Sequence, residues 1–369
     1  MAQMHAARRA AAQQKIAESG ADAALITTQA NVRYLSGLVS SNAAVLLPAA
    51  GAGVLATDSR YAEAAERDCP DIEVVTERDL EVALASLAVE RGYVTLAFEA
   101  QTMTVERHTA LTDKAGGPHL VPLGHVVESL RMIKDDAEIA LLARACAITS
   151  DAFAQILGEI VPGRTERDLA MLLERTMIDL GAEAPAFDTI VASGPNGAIP
   201  HHSPSNRAFE HGDLITIDCG ARYDGYHADM TRTVALGQPA GWQRDIYDLV
   251  AIAQRAGVAA AVPGAEVGDV DAAARDIIDA AGHGEHFGHG LGHGVGLEVH
   301  ESPLMARGRT GRLVDRVPVT VEPGVYLPGK GGVRIEDTLV VRAGASHGGA
   351  GQAEPPEILT TTTKELLVL

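Results

Sequence analysis

The chain has 369 residues, of which 46% are hydrophobic and only 4% aromatic, and its formal net charge is -19. That length exceeds what one ordinary core accommodates and predicts two domains. The acidic balance opposes phosphate backbones and anionic lipid surfaces, so neither nucleic acid nor membrane is expected as a partner.

The first 22 residues carry Arg8, Arg9, Lys15 and Glu18 but no apolar h-region, so they read as a helix ending near Gly20 and not as a signal peptide. A strand follows at 23–26, then a hairpin from 45–47 and 53–57 turning between Pro48 and Gly51. Helical stretches alternate with short strands at 72–75 and 94–98, which makes residues 1–130 an α/β domain. Cys69, Cys146 and Cys219 are widely separated, odd in number and without a CxxC pair, a usage that fits a reducing compartment. No run reaches the roughly 18 apolar residues of a spanning helix. A soluble, cytoplasmic protein is therefore expected.

Residues 131–369 form the second domain, of α+β class. Its opening helix is expected over 135–160, with Ile139, Leu142, Cys146, Phe153 and Ile156 on its apolar face. Asp135, Asp136 and Glu138 suit the positive end of the helix dipole. An internal repeat follows. Val161-Pro162-Gly163 recurs as Val262-Pro263-Gly264, Asp168 as Asp269 and Gly181 as Gly282, all at an offset of 101 residues. Thr165 and Asp168 supply a capping-box start for the first copy. At an offset of 104, Thr216-Ile217-Asp218-Cys219-Gly220 recurs as Thr320-Val321-Glu322-Pro323-Gly324. Each copy ends a β-branched run on a carboxylate and then turns at glycine. Two similar halves about a pseudo-twofold axis are predicted, with a site where they meet.

Four segments carry chemistry. Residues 193–202 form a loop by composition and deliver His201. Residues 229–233 alternate as a strand with Asp229, Thr231 and Thr233 on one face, and residues 220–225 are the turn that brings Asp229 beside Asp218. Two carboxylates so placed call for a cation. Residues 288–301 interleave glycines with His289, His293 and His300, which lets backbone approach a buried centre. His283 and His286, just before, read as surface residues. In Val333-Arg334-Ile335-Glu336, Arg334 and Glu336 share a face. Asp218, Asp229, His293, Glu322 and Glu336 together make an oxygen-rich set with enough negative charge for two divalent cations. Two close metals imply hydrolysis by an activated water.

These residues resemble the pita-bread metallopeptidases, in the branch of Xaa-Pro aminopeptidases and Xaa-Pro dipeptidases (prolidases). The resemblance runs from the IKDDAEI helix to GVRIEDT, while NVRYLSG and TDSRY resemble a creatinase-type N-terminal domain. It implies that Asp229 and Glu336 bridge two metals, that Asp218 chelates one, and that His293 and Glu322 complete the other. His201, His289 and His300 would face substrate, and Arg334 would orient a bridging glutamate. A hydroxide shared by the metals would attack the peptide carbonyl, with Glu322 moving the proton and His300 and His201 stabilising the oxyanion and the breaking amide. Mn²⁺ is favoured, with Co²⁺ or Zn²⁺ as alternatives. The implied substrates are peptides with proline in second position and the implied assembly is a homodimer. An aminopeptidase leads, on the likeness of the short TDSRY-containing domain to small aminopeptidase P-like enzymes, with prolidase as the alternative. A creatinase-like amidinohydrolase needs no metal, methionine aminopeptidases generally lack such an N-terminal domain, and non-catalytic pita-bread binding modules lose ligands. Two departures stand out: Ala228 replaces the usual serine before Asp229, and Leu313-Val314-Asp315-Arg316-Val317-Pro318 replaces Leu-x-x-Gly-Met and is expected to reshape one wall.

Overall fold

The computed structural model describes residues 2–114, 118–344 and 354–369, and the chain divides into two compact units, Met1–Arg131 and Met132–Leu369. In the first, β1 (Ala23–Ile26), β2 (Ala43–Pro48), β3 (Val54–Thr57), β4 (Glu73–Thr76), β5 (Thr95–Phe98) and β6 (His119–Pro122) form one sheet in the order β4-β3-β2-β1-β5-β6. Pairs β1–β2 and β2–β3 are antiparallel and the other three parallel. Apart from Pro48 and Thr57 at two strand ends, the central strands are runs of Ala, Val, Leu and Ile, buried along their whole length as a sheet covered on both faces requires. Leu80, Leu84, Ala85 and Ala88 of helix Leu80–Glu90 pack into the core they share with Leu25, Leu46 and Val54. The sequence reading did not find β6, whose exposed ends, half-buried middle and terminal proline mark an edge strand.

The second unit opens with helix Asp136–Ile156, started by a full capping box between Asp135 and Glu138. With the turn that extends it, Asp136–Glu159 passes by length and mean hydropathy for a membrane-crossing helix, although charged residues break it into shorter apolar runs, as expected. Its apolar side is spent inside the protein, where Ile139, Leu142, Cys146, Ile148, Phe153 and Ile156 are all buried.

The repeat is written into the topology. Helix Glu166–Asp179 and helix Val267–Ala280 lie 101 residues apart. The first half continues through β7 (Ala184–Pro185), β8 (Ile190–Ser193), β9 (Leu214–Cys219), β10 (Ala221–Tyr223), β11 (Tyr226–His227) and β12 (Met230–Ala235). The second, after helices Gly241–Ala260 and Val267–Ala280, has β13 (Gly292–Gly294), β14 (Glu301–Met305), β15 (Pro318–Val321), β16 (Gly324–Leu327), β17 (Gly331–Arg334), β18 (Asp337–Val340) and β19 (Glu357–Ile358). The antiparallel order β8-β9-β12 in one half is matched by β13-β15-β18 in the other. Bridges Thr165↔Ala208 and Glu266↔Arg312 occupy matching places. Each half has its own apolar core, one holding Phe153, Leu173 and Ile217, the other Val250, Val270 and Val319. At the first repeat helix Thr165 Oγ1 accepts the Asp168 N–H at 3.1 Å, a one-way cap in place of the expected box. The hairpin between β9 and β12 is longer than expected: β10 and β11 pair up to a tip at Asp224 and Gly225, whose φ values of 44° and 77° belong to a tight primed turn.

Candidate metal centre

The ends of β9, β12, β15 and β18 place four carboxylates. Asp218 pairs with Thr231 across β9 and β12, so Asp229, two residues before Thr231, is its diagonal neighbour on the same face. In the second half Val321 pairs with Asp337, which sets Glu322 and Glu336 one step past that pair on adjoining strand ends. His293 comes from β13. Its N–H donates to Thr320 Oγ1 at 3.0 Å, and the close approach requires Gly292, where a Cβ would lie 2.0 Å from the Thr320 carbonyl oxygen.

These side chains converge. One ligand atom each from Asp229, His293 and Glu336 lies within 4.8 Å of the others, and all three residues are buried. His293 Nε2 is 3.4 Å from Glu322 Oε1 and 3.6 Å from Asp229 Oδ2. Because a carbonyl oxygen can only accept, the 3.0 Å contact to Gly294 O puts the proton on His293 Nδ1 and leaves the Nε2 lone pair aimed at the carboxylates. Arg334 Nη2 donates to Asp218 Oδ2 at 2.7 Å, while Asp218 Oδ1 is buried without a hydrogen-bond partner among the described residues. That orphaned oxygen, beside three more carboxylates and an imidazole lone pair, is what a hard divalent cation satisfies.

The electrostatics agree. Burial first, then Glu336, Asp218 and Glu322, push Asp229 well above the usual carboxylate range. Burial and then Glu322 and Asp218 do the same to Glu336, and Glu322 is raised to about 8, chiefly by burial. Burial also lowers His293 and His289 to about 4, which keeps both rings neutral near pH 7. So many carboxylates facing one another favour protons or cations in their midst.

A cavity of about 370 Å³ is lined by all five of these candidate ligands and by His201, His289, His300 and Arg334, and it brings Phe187, Ile190, Val299 and Leu304 to the same space. His300 stacks edge-on to His293 with ring centroids 4.4 Å apart. His289 is held from both sides, Nδ1 donating to Gly290 O at 2.8 Å and Nε2 accepting from Tyr326 OH at 2.8 Å. His283 and His286 face each other at 3.4 Å and do not line the cavity. The 313–318 segment is corrected by the structure. Leu313 and Val317 enter the core and Arg316 bonds Lys134 O and Asp136, so none of it forms a cavity wall.

Sequence reasoning missed the supports. Thr231 Oγ1 donates to Glu336 Oε2 at 2.7 Å and accepts from Arg334 Nε at 3.0 Å, coupling a carboxylate of one half to the arginine that holds Asp218. Tyr326 OH accepts from Arg334 Nη1 at 2.9 Å and passes the chain on to His289. Beneath, Arg232 and Asp337 form a buried ion pair at 2.8 Å, and Asp337 also accepts from Gln254, Thr360 and Lys364. The only signal in sequence was the alternation that put Thr231 on the face of Asp229.

Residues 140–343 match Metallopeptidase family M24 and residues 8–133 match the Creatinase/Prolidase N-terminal domain. The chain is 36% identical to the Xaa-Pro dipeptidase of Pyrococcus horikoshii over 94% of each sequence. Among solved structures, the Xaa-Pro dipeptidase from Bacillus anthracis superposes with a TM-score of 0.93 at 37% identity, covering 99% of this chain and 100% of that one. The X-Pro aminopeptidase from Thermotoga maritima gives 0.85 at 36% identity, covering 95% and 98%. Fold, motifs and relatives agree that the chain belongs to metallopeptidase family M24, as a two-domain, divalent-metal hydrolase of the pita-bread Xaa-Pro peptidase branch.

Proposed function

We propose that the protein hydrolyses the bond preceding proline at peptide N-termini, with its catalytic machinery in a domain of residues 131–369 that follows an N-terminal domain of residues 1–130 in the chain. The observation that carries this reading is the convergence of Asp218, Asp229, His293, Glu322 and Glu336 on one cavity that also presents His201 and His300. Asp218, Asp229, His293, Glu322 and Glu336 would together hold the divalent ions. When bound, such ions supply Lewis acidity toward the scissile carbonyl and acidify a water molecule. Mn²⁺ suits the carboxylate-rich set, with Co²⁺ or Zn²⁺ as alternatives.

The chain's own groups do the rest. Glu322, which lines the cavity beside His293, takes the proton from the attacking water and returns it to the leaving nitrogen. His201 and His300, both exposed at the cavity, offer N–H groups to the developing oxyanion and to the amide. Arg334 fixes Asp218 directly and Glu336 through Thr231. His289, locked by Tyr326, gives the cavity a rigid polar wall. A metal-free amidinohydrolase would have no use for five converging ligands. We further assign the protein to the cytoplasm, where its three buried free cysteines stay reduced, and to a homodimer.

Aminopeptidase action is the first reading. Xaa-Pro dipeptidase action is the second, favoured by the name of the Pyrococcus horikoshii relative. Chelated protein reloaded with Mn²⁺, Co²⁺ or Zn²⁺ and offered Xaa-Pro, Xaa-Pro-Yaa and matched Xaa-Ala peptides decides between them. Cleavage of tripeptides and longer chains establishes the aminopeptidase, and cleavage confined to dipeptides establishes the prolidase. Equal rates on Xaa-Ala peptides would refute the proline preference.

A further inference from the structure

The loop after β8 brings Pro200 and His201 to the cavity, yet none of its apolar side chains Pro195, Ala198 and Ile199 is buried to anchor it. Its tether is elsewhere. Glu166, the first residue of helix Glu166–Asp179, has a side chain with 0% exposure. Its Oε1 accepts from Ser193 N at 2.8 Å, Ser193 Oγ at 2.7 Å and Asn196 Nδ2 at 2.9 Å. Its Oε2 accepts from His202 Nε2 at 2.8 Å, Ser205 N at 3.0 Å and Ser205 Oγ at 2.6 Å. One carboxylate thus gathers the loop's entry on one oxygen and its exit on the other, with His201 between them.

Burial by itself would raise this carboxyl, and the donors more than offset it, leaving Glu166 ionised at about 2. On the other side the loop rests on β17, where a Cβ on Gly332 would stand 2.2 Å from Gly197 O. Arg334 Nη1 reaches Pro200 O at 3.4 Å. The repeat does not explain the charge, because the matching first residue of the second helix is Val267.

We propose that Glu166 is the positioning residue for His201: it touches no substrate, and it sets where the His201 ring stands by gripping both ends of the loop that carries it. This rests on the reading above that His201 faces the scissile amide. A misplacement on the scale of an ångström is enough to cost about 100-fold in rate.

The test is Glu166→Gln, which keeps the volume but replaces one acceptor oxygen with an amide that cannot accept. With metal content unchanged, kcat on an Xaa-Pro peptide should fall about 10- to 100-fold, KM should move far less, and hydrogen exchange should rise at amides 194–205 while β9 and β12 keep their protection. In a His201→Ala background the same substitution should cost almost nothing further, since both changes remove one function. An equal loss in both backgrounds, or unchanged exchange over 194–205 in the folded variant, would overturn the proposal. Should Glu166→Gln fail to fold, His202→Ala and His202→Gln replace it. Alanine should reproduce the loss and glutamine, which retains a donor, should restore activity, and no such rescue would overturn the proposal. Wild-type protein inactive on every Xaa-Pro peptide would refute the peptidase reading, while the exchange measurement still decides whether Glu166 holds the loop.

Discussion

Removing the metals should leave a protein whose stability depends on pH in a direction set by the buried acids. Glu322 is raised from 4.5 to about 8, and Asp229 and Glu336 shift the same way. A carboxyl raised in the folded state contributes stability that is complete below its unfolded value and is lost as pH rises through its folded value. Its cost once ionised is on the order of 5 kcal/mol, at about 1.4 kcal/mol per pH unit between the two values. His289 and His293, lowered from 6.5 to about 4, act oppositely: their contribution is present above 6.5 and lost as pH falls through about 4. The two effects conflict between pH 4.5 and 6.5, and the carboxyl effect stands alone between 6.5 and 8. Chelated protein should therefore lose about 2 kcal/mol from Glu322 over that upper window, with Asp229 and Glu336 adding to it. Protein saturated with Mn²⁺ should show almost no slope there. Urea unfolding at pH 6.5, 7.2 and 8, with chelator and with Mn²⁺, measures both. Equal slopes in the two series would refute the claim that these carboxylates share one cation-binding space.

Thr231→Val keeps the shape of a fully buried residue but removes the bonds to Glu336 and Arg334. At about 1.5–3 kcal/mol for a bond to a charged group, and with Arg334 keeping Asp218 and Tyr326 as acceptors, metal-free stability should fall by about 2–4 kcal/mol. Mn²⁺ affinity, read by calorimetry, should weaken about 10- to 100-fold. Gly292→Ala would drive a methyl group to within 2.0 Å of the Thr320 carbonyl oxygen; His293 should be displaced, and metal content by elemental analysis should drop. Asp229→Asn should lower both metal content and turnover, whereas lost turnover with metal still fully bound and ordered would contradict a shared-ligand role.

The large features were legible in the sequence because they rest on local rules. Hydrophobic period and capping acids marked helix Asp136–Ile156, and the offset recurrence of VPG, Asp and Gly marked the paired helices that the structure places 101 residues apart. The Thr-Ile-Asp and Thr-Val-Glu runs pointed to Asp218 and Glu322 because an apolar strand that ends on a carboxylate has to bring it to the edge of a core. Other features had no local signature. Thr231 and Tyr326 look like ordinary strand residues, and they matter only because Arg334 lies between them after β12 and β17 meet. Glu166 reads as a first-turn acid favourable to the helix dipole, and only tertiary packing closes Ser193, Asn196, His202 and Ser205 around it. The opposite error occurred at 313–318, where departure from a motif suggested a changed wall, although Leu313 and Val317 are core residues.

The most direct test of the central claim is to strip the protein with chelator, titrate it with Mn²⁺, and follow bound metal and cleavage of an Xaa-Pro peptide in the same samples. The account predicts no turnover in the stripped protein and activity that returns as a second ion binds per chain. Turnover that survives chelation, or two bound ions with no cleavage of any Xaa-Pro peptide, would contradict it.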